Sequence, residues 1–361
     1  MFDDEEQEKV CRNQVIDLVT AYLPNSFNLC KIKPLMSFTI PPLHNGGVML
    51  TYKCDNACRH CLYCCSPKSS DEAMSEEMID RTMATLSKER SLDGIHFGGG
   101  ESTLFFDRLL YAVRSAVKHG VRIDYLETNG GWCLDEKTAT DGFKRLRDAG
   151  LPGVLISASL FHLEFIPLSV TKMAIRAANK VFGGAFVWTS EVLRLMERLP
   201  DHGRKYPLQK SCRLLGIDPG DGTLWQIHSY LNPCGRAARQ LTDGLRRHSV
   251  DQFSGDACGR TFRATSHFHI DQYGNLFTGH CPGISVATID DLHPTVDETT
   301  APFFMALSKG GPVEAWKRHA PEFVPDTTGY IGKCHFCLEL RRHLFESGTF
   351  AELRPREMYW N

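Results

Sequence analysis

Cys54, Cys58 and Cys61 stand in the segment YKCDNACRHCLY, three thiols close enough in sequence to meet one metal centre. Their CxxxCxxC spacing suits three irons of a cubane cluster and leaves the fourth iron open to a cofactor. Thiolates fit that task because a soft anionic ligand holds cluster iron well, while burial and hydrogen bonds to sulfur set its potential. Zinc is the competing occupant, and His60 or Cys64 would then have to supply a fourth ligand. A second set, Cys258, Cys281, Cys334 and Cys337, ends in the pair CHFC and suits either a further iron-sulfur cluster or structural zinc. Between the sets lies HFGGGE, His96 to Glu101. Residues without Cβ let the backbone approach a ligand closely, and GGGEST lacks the GxxxxGK[ST] pattern of a phosphate-binding loop. Cys64 and Cys65 adjoin the first set and could contact a substrate, whereas Cys11, Cys30, Cys133, Cys212 and Cys234 read as buried thiols or bystanders.

Composition narrows the chemistry. With 361 residues and 42% hydrophobic content, the chain can bury one barrel-sized domain and a smaller one. A net charge of -2 and the lack of a basic run give no footprint for nucleic acid. No apolar run of about 18 residues is present, so no membrane span is expected. The acidic start MFDDEEQEKV carries no apolar export segment, which points to a reducing cytoplasmic setting where 14 cysteines serve metal rather than crosslinks.

The elements that must position these residues alternate short apolar runs with amphipathic stretches, the pattern of successive strand-helix units and a parallel sheet. Strands are expected over 47–53 (GVMLTYK), GIHF, 122–128 (RIDYLET), 153–159 (GVLISAS), AFVWT and, as a sixth, 224–231 (LWQIHSYL). Helices are expected over MSEEMIDRTMATLSKE, 106–118, 136–149 and PLSVTKMAIRAANKV. HFHIDQYGNLFTG reads as a β-hairpin with Gly274 in its turn, and CHFC opens a helix bearing Arg341 and Arg342. Three segments follow: a helical extension over 1–45 with a helix near 5–22, a core over 46–249 and a tail domain over 250–361. His162 and Glu164, in SLFHLEFIP, follow the fourth strand and are candidate bases; His162 has the ordinary pKa for the task. Both could instead cap the next helix or pair with each other.

The cysteine loop after a strand, with the glycine run ending the next strand, resembles the radical S-adenosylmethionine (radical SAM) superfamily. The resemblance implies an α/β fold, a partial (β/α)6 TIM-like barrel with its active site at the C-terminal strand ends. It implies a [4Fe-4S] cluster on Cys54, Cys58 and Cys61 that cleaves S-adenosyl-L-methionine (SAM) reductively to a 5′-deoxyadenosyl radical. His60, where the family usually has an aromatic residue, would lie by the adenine. Gly99, Gly100 and Glu101 would receive the SAM amino group, and Asn129 and Ser157 would lie near the ribose and methionine carboxylate. NPCGRAARQL resembles the turn that closes such a core. The tail resembles a small α+β twitch domain, the shortened relative of the SPASM domain, which holds one auxiliary [4Fe-4S] cluster; two extra residues separate Gly274 from Cys281. A flavodoxin- or ferredoxin-type electron donor is implied as partner. The expected reaction is a two-electron oxidation of a small molecule, with His162 or Glu164 taking a proton. A maturase acting on a ribosomally synthesised peptide is the alternative, and a non-catalytic metal-binding scaffold a further one.

Overall fold

The computed structural model describes residues 37–360, so the helix expected near 5–22 and Cys11 and Cys30 lie outside the described residues. From Ser37 onward the chain forms one compact unit. Its strands are β1 (Phe38–Thr39), β2 (Asn45–Met49), β3 (Gly94–Gly98), β4 (Ile123–Thr128), β5 (Val154–Ser157), β6 (Phe186–Trp188), β7 (Phe268–Ile270), β8 (Asn275–Phe277), β9 (Ala287–Thr288) and β10 (Thr295–Val296). The main crossover helices are α1 (Glu76–Leu86), α2 (Phe106–His119), α3 (Glu136–Asp148) and α4 (Leu168–Phe182).

Local signals fix these helices where the apolar periodicity places them. Ser75 caps α1 by accepting from the Met78 N–H, with Glu76 and Glu77 in the first turn, where carboxylates suit the positive helix end. Asp135 caps α3 by accepting from the Thr138 N–H. Gly120 ends α2 and Gly183 ends α4, both in the left-handed conformation that glycine adopts without strain.

One eight-stranded sheet carries the site, in the order β6-β5-β4-β3-β2-β7-β8-β9. The strands from β6 to β7 run parallel, and β8 and β9 add antiparallel. The expected sixth strand over 224–231 is not formed. Residues Thr223–Ile227 are helical, because Leu224, Ile227 and Leu231 recur at helical rather than alternating spacing. The sixth parallel strand is β7 of the tail, which pairs with β2 at the other end of the core sheet, so the sheet continues across the boundary expected near Ser249. Residues 37–45 likewise meet the tail: β1 pairs with β10, and the His44 N–H donates to Thr265 O. Between the sheet and α1 to α4 lies the main core, in which Ile79, Phe97, Leu109, Leu126, Phe143 and Ile156 are buried.

Candidate active site

The loop that follows β2 brings the first three cysteines together at the C-terminal strand ends. Cys54 and Cys58 are buried, Cys61 is half-buried, and all three line one cavity of about 320 Å³. The loop is held by its backbone: the Cys54 N–H donates to Ser66 O at 3.3 Å and the Cys61 N–H to Cys58 O at 3.0 Å. Residue 52, just before it, is clamped by the tail hairpin, since the Tyr52 N–H donates to Gln272 Oε1 at 2.9 Å and the Tyr52 hydroxyl to Asp271 Oδ2 at 3.0 Å. From the other side comes the NPCGRAARQL turn. Arg236 donates through Nε to Cys58 O at 2.9 Å and through Nη2 to Cys65 O at 2.5 Å. A Cβ on Gly235 would stand 2.5 Å from Leu62 O, so only glycine lets the turn sit this close.

These thiols fit a bound cluster. Burial pushes the Cys54 and Cys58 thiols well above their ordinary value, so they ionise only with a cation beside them. Arg236 is buried and, among the described residues, has no carboxylate partner; a buried cation of that kind is stabilised by thiolate charge. Cys61 is pulled down by its hydrogen bond with Cys65, and the Asn56 N–H points at Cys54 Sγ from 3.4 Å.

The glycine run serves the loop as much as the cavity. Gly99, with φ 125°, and Gly100 both line the cavity, yet a Cβ on Gly100 would lie 1.9 Å from Lys53 O. The Gly100 N–H donates to Thr51 O at 2.7 Å and the Glu101 N–H to Lys53 O at 2.8 Å. Glu101 turns away beneath. It is buried, caps the short 3-10 turn at Ser102–Phe105, and accepts from the Thr103 hydroxyl and N–H, the Thr128 hydroxyl and the Asn129 N–H. Burial raises its carboxyl to about 7.

Of the other expected residues, His60, Asn129, Ser157 and His162 line the cavity. The His60 ring stacks on Phe161 with centroids 4.8 Å apart, and its Nδ1 is buried without a partner. Asn129 donates to Asp55 Oδ1 at 2.7 Å. His162 is bonded through Nδ1 to the Ser159 hydroxyl at 2.8 Å and is held down to about 4 by burial, hence neutral at pH 7. Glu164 is not brought to the cavity. It accepts from Arg59 Nε at 2.9 Å, an ion pair with the cysteine loop, and from the Leu208 N–H at 3.2 Å, the first residue of the distant helix Leu208–Leu215 rather than of the helix that follows Glu164.

Sequence reading missed Glu127. Tyr125, Glu127 and Asn129 share the inner face of β4 and all line the cavity; the period of two from Asn129 was the signal that could have found it. The Glu127 side chain is 40% exposed, and burial raises its carboxyl to about 7. Also missed were His267, His269 and His280, which line the same cavity.

In the tail, Cys258 lies within electrostatic reach of Cys281, Cys334 and Cys337, and Cys337 within reach of Cys281 and Cys334; burial is the main reason the four thiols titrate high. Cys234, expected to be a buried thiol or a bystander, is buried and lies near enough to Cys281 and Cys337 to influence both. Arg341 lies buried among them, donating to Pro282 O at 2.7 Å and to Cys234 Sγ at 3.4 Å, again with no carboxylate partner among the described residues.

Residues 48–218 match the family model described as the radical SAM superfamily. The chain carries a radical SAM domain. That domain implies a [4Fe-4S] cluster and SAM as cofactors, and the cysteine loop, glycine run and cavity fall within it. Among solved structures, the chain is similar to BtrN in complex with AdoMet and 2-DOIA, with 14% identity, coverage of 76% of this chain and 91% of that chain, and a TM-score of 0.38. It is similar to native anSMEcpe with bound AdoMet, with 13% identity, coverage of 84% and 96%, and a TM-score of 0.39. A third is methylornithine synthase (PylB), with 18% identity, coverage of 40% and 43%, and a TM-score of 0.30. No curated protein matches the chain. Among the described residues no helix is long and apolar enough to cross a membrane.

Proposed function

We propose that the chain is a radical SAM oxidoreductase that removes a hydrogen atom, one further electron and a proton from a small molecule held in the cavity beside Cys54, Cys58 and Cys61. Cys54, Cys58 and Cys61 would hold the SAM-binding cluster, and Cys258, Cys281, Cys334 and Cys337 a second one, with Arg236 and Arg341 as the buried countercharges. When bound, the first cluster with SAM supplies a 5′-deoxyadenosyl radical that abstracts hydrogen, and the second supplies a one-electron acceptor. His60, Gly99, Gly100, Asn129 and Ser157 would form the SAM-facing wall, with Glu101 setting the Thr128-Asn129 backbone from below.

The observation that carries the oxidation is Glu127, a carboxyl on the cavity wall held at about 7. A base works best with a pKa near the working pH, so Glu127 suits removal of a substrate hydroxyl proton better than His162, which titrates at about 4. Glu164 is left a structural role. The cavity, about 320 Å³, is of the size that holds a small molecule. Soluble expression under anaerobic reconstitution, reduction with dithionite and addition of SAM should release 5′-deoxyadenosine and methionine. The variant with Cys54, Cys58 and Cys61 all replaced by Ala should release none. Unchanged release from that variant would refute the radical assignment, and return of intact SAM after turnover with a substrate would refute the oxidation.

A further inference from the structure

Two histidines of the same cavity, His267 and His269, belong to a second chemical centre where β3, β2 and β7 lie side by side. His96 lies on β3, Gly47 on β2 and His269 on β7, and these three residues form one rung of the parallel sheet, because Gly47 is in register with both histidines. His267 is two residues before His269 and so faces the same way. A Cβ on Gly47 would lie 2.5 Å from His96 Nε2 and 2.7 Å from His269 Cδ2, so the absent side chain is what lets two imidazoles meet across the middle strand. Ligand nitrogens of His96, His267 and His269 all lie within 4.8 Å of one another, the one such trio of His, Cys, Asp or Glu among the described residues.

What surrounds these rings is chiefly other rings. His96 to His267 and His96 to His269 are both 5.4 Å between centroids, and His267 lies 4.8 Å from His269. His96 is 1% exposed and its Nδ1 has no hydrogen-bond partner, an unusual state for a buried imidazole. Two buried imidazoles and a half-buried third in contact, with one orphan nitrogen, gain little from packing that apolar side chains would not supply better.

We propose that His96, His267 and His269 bind one divalent transition-metal ion of the borderline class, with Zn²⁺ the best fit, at the edge of the cavity that His267 and His269 line. Neutral imidazole is the ligating form, and it suits zinc, which is held by nitrogen at about 2.0–2.1 Å in a tetrahedral set. That geometry places the nitrogens roughly 3.4 Å apart, so modest ring rotations close the trio. Burial holds all three rings below their ordinary value, with repulsion from neighbouring imidazoles adding to it at His267 and His269. Three protein ligands leave a fourth position. Glu127, whose Oε1 is 3.9 Å from His96 Nε2, borders it, as does the cavity, so a substrate oxygen can complete the set. His280, in the left-handed region with φ 54°, stacks on His267 at 4.8 Å and backs the site from the residue before Cys281.

Co²⁺, a spectroscopic stand-in for zinc, tests the site in protein whose cysteines are already loaded with iron. Anaerobic titration of that holoprotein should show about one equivalent bound, with visible d–d absorption and without the thiolate-to-cobalt charge-transfer bands that cysteine ligation gives. His267→Gln, at the most exposed of the three, and His269→Ala should each weaken binding at least about tenfold while iron content stays at the wild-type level. Failure of the wild-type holoprotein to take up Co²⁺, undiminished binding in the His267→Gln, His269→Ala double variant, or charge-transfer bands in the bound spectrum would each overturn the site. Release of 5′-deoxyadenosine from the same samples reports separately on the radical chemistry.

Discussion

Replacing Gly100 by Ala probes how the glycine run sets the cysteine loop. Gly100 does not use a positive φ, so the substitution brings a steric change without a backbone one. The added Cβ would stand 1.9 Å from Lys53 O and 2.5 Å from Lys53 C, whereas side-chain carbons do not come closer than 3.0 Å to other heavy atoms, so the two segments must part by 1.1 Å. Neither obstacle is a flexible side chain. The Gly100 N–H···O Thr51 and Glu101 N–H···O Lys53 bonds, 2.7 and 2.8 Å, bridge the same two segments and stretch with the shift. Overpacking of this kind costs about 1–3 kcal/mol, and a weakened backbone bond adds about 1 kcal/mol. For a protein of this size that is a fall in Tm of several degrees. Lys53 precedes Cys54, so a displacement of about 1 Å reaches the loop proposed to hold the cluster and position SAM, where such an error costs on the order of 10² in rate. The assay is Tm, iron content and 5′-deoxyadenosine release on one preparation, with Gly153→Ala as control, since a Cβ there meets nothing within 4 Å. Wild-type values in all three for Gly100→Ala would refute the reasoning.

Further predictions concern charge and metal. The Glu127 carboxyl is raised from 4.5 to about 7 by burial, so its folded state keeps a proton that the unfolded state has lost; its contribution to stability is full below 4.5 and is lost as pH rises to about 7. Glu127→Gln should therefore match wild type in melting temperature at pH 4 and exceed it at pH 8, and in the native enzyme turnover should rise with pH through about 7; equal melting temperatures at pH 8 would count against the burial argument. Arg341→Leu leaves the tail thiolates without their buried cation and should lower loaded iron from about eight to about four per chain, read by colorimetric iron analysis. Protein with all seven expected ligands intact should carry about eight irons and eight sulfides, and four irons with one zinc would make the tail set a zinc site.

Much of the cavity lining was legible because its signals are local. The three cysteines lie within one loop, and that loop's length alone keeps them near one another whatever the rest of the chain does. Helix spans were legible from local apolar spacing, while their ends are set by Ser75, Asp135, Gly120 and Gly183, which act on backbone within a turn of themselves. Segment 224–231 misled because a short apolar run fits strand and helix alike, and the spacing of Leu224, Ile227 and Leu231 decided it. Glu164 misled because sequence shows that it follows β5 but not that Arg59 and the Leu208 N–H claim its carboxylate.

The amino-acid sequence by itself determined the chemistry of the cofactor and the order of the strand-helix units, since both rest on residue types at short, fixed separations. Tertiary structure decided which side chains face one another across the sheet. That β7 of the tail pairs with β2, over two hundred residues earlier in the chain, is what sets His269 beside His96 over Gly47 and lets Asp271 and Gln272 grip Tyr52. The nearness of Cys234 to Cys281 and Cys337 and the burial of the two arginines were likewise invisible until folding removed their water. A buried cation or an unpaired imidazole has meaning only once its surroundings are known, because desolvation and partner geometry, not residue type, set its energy.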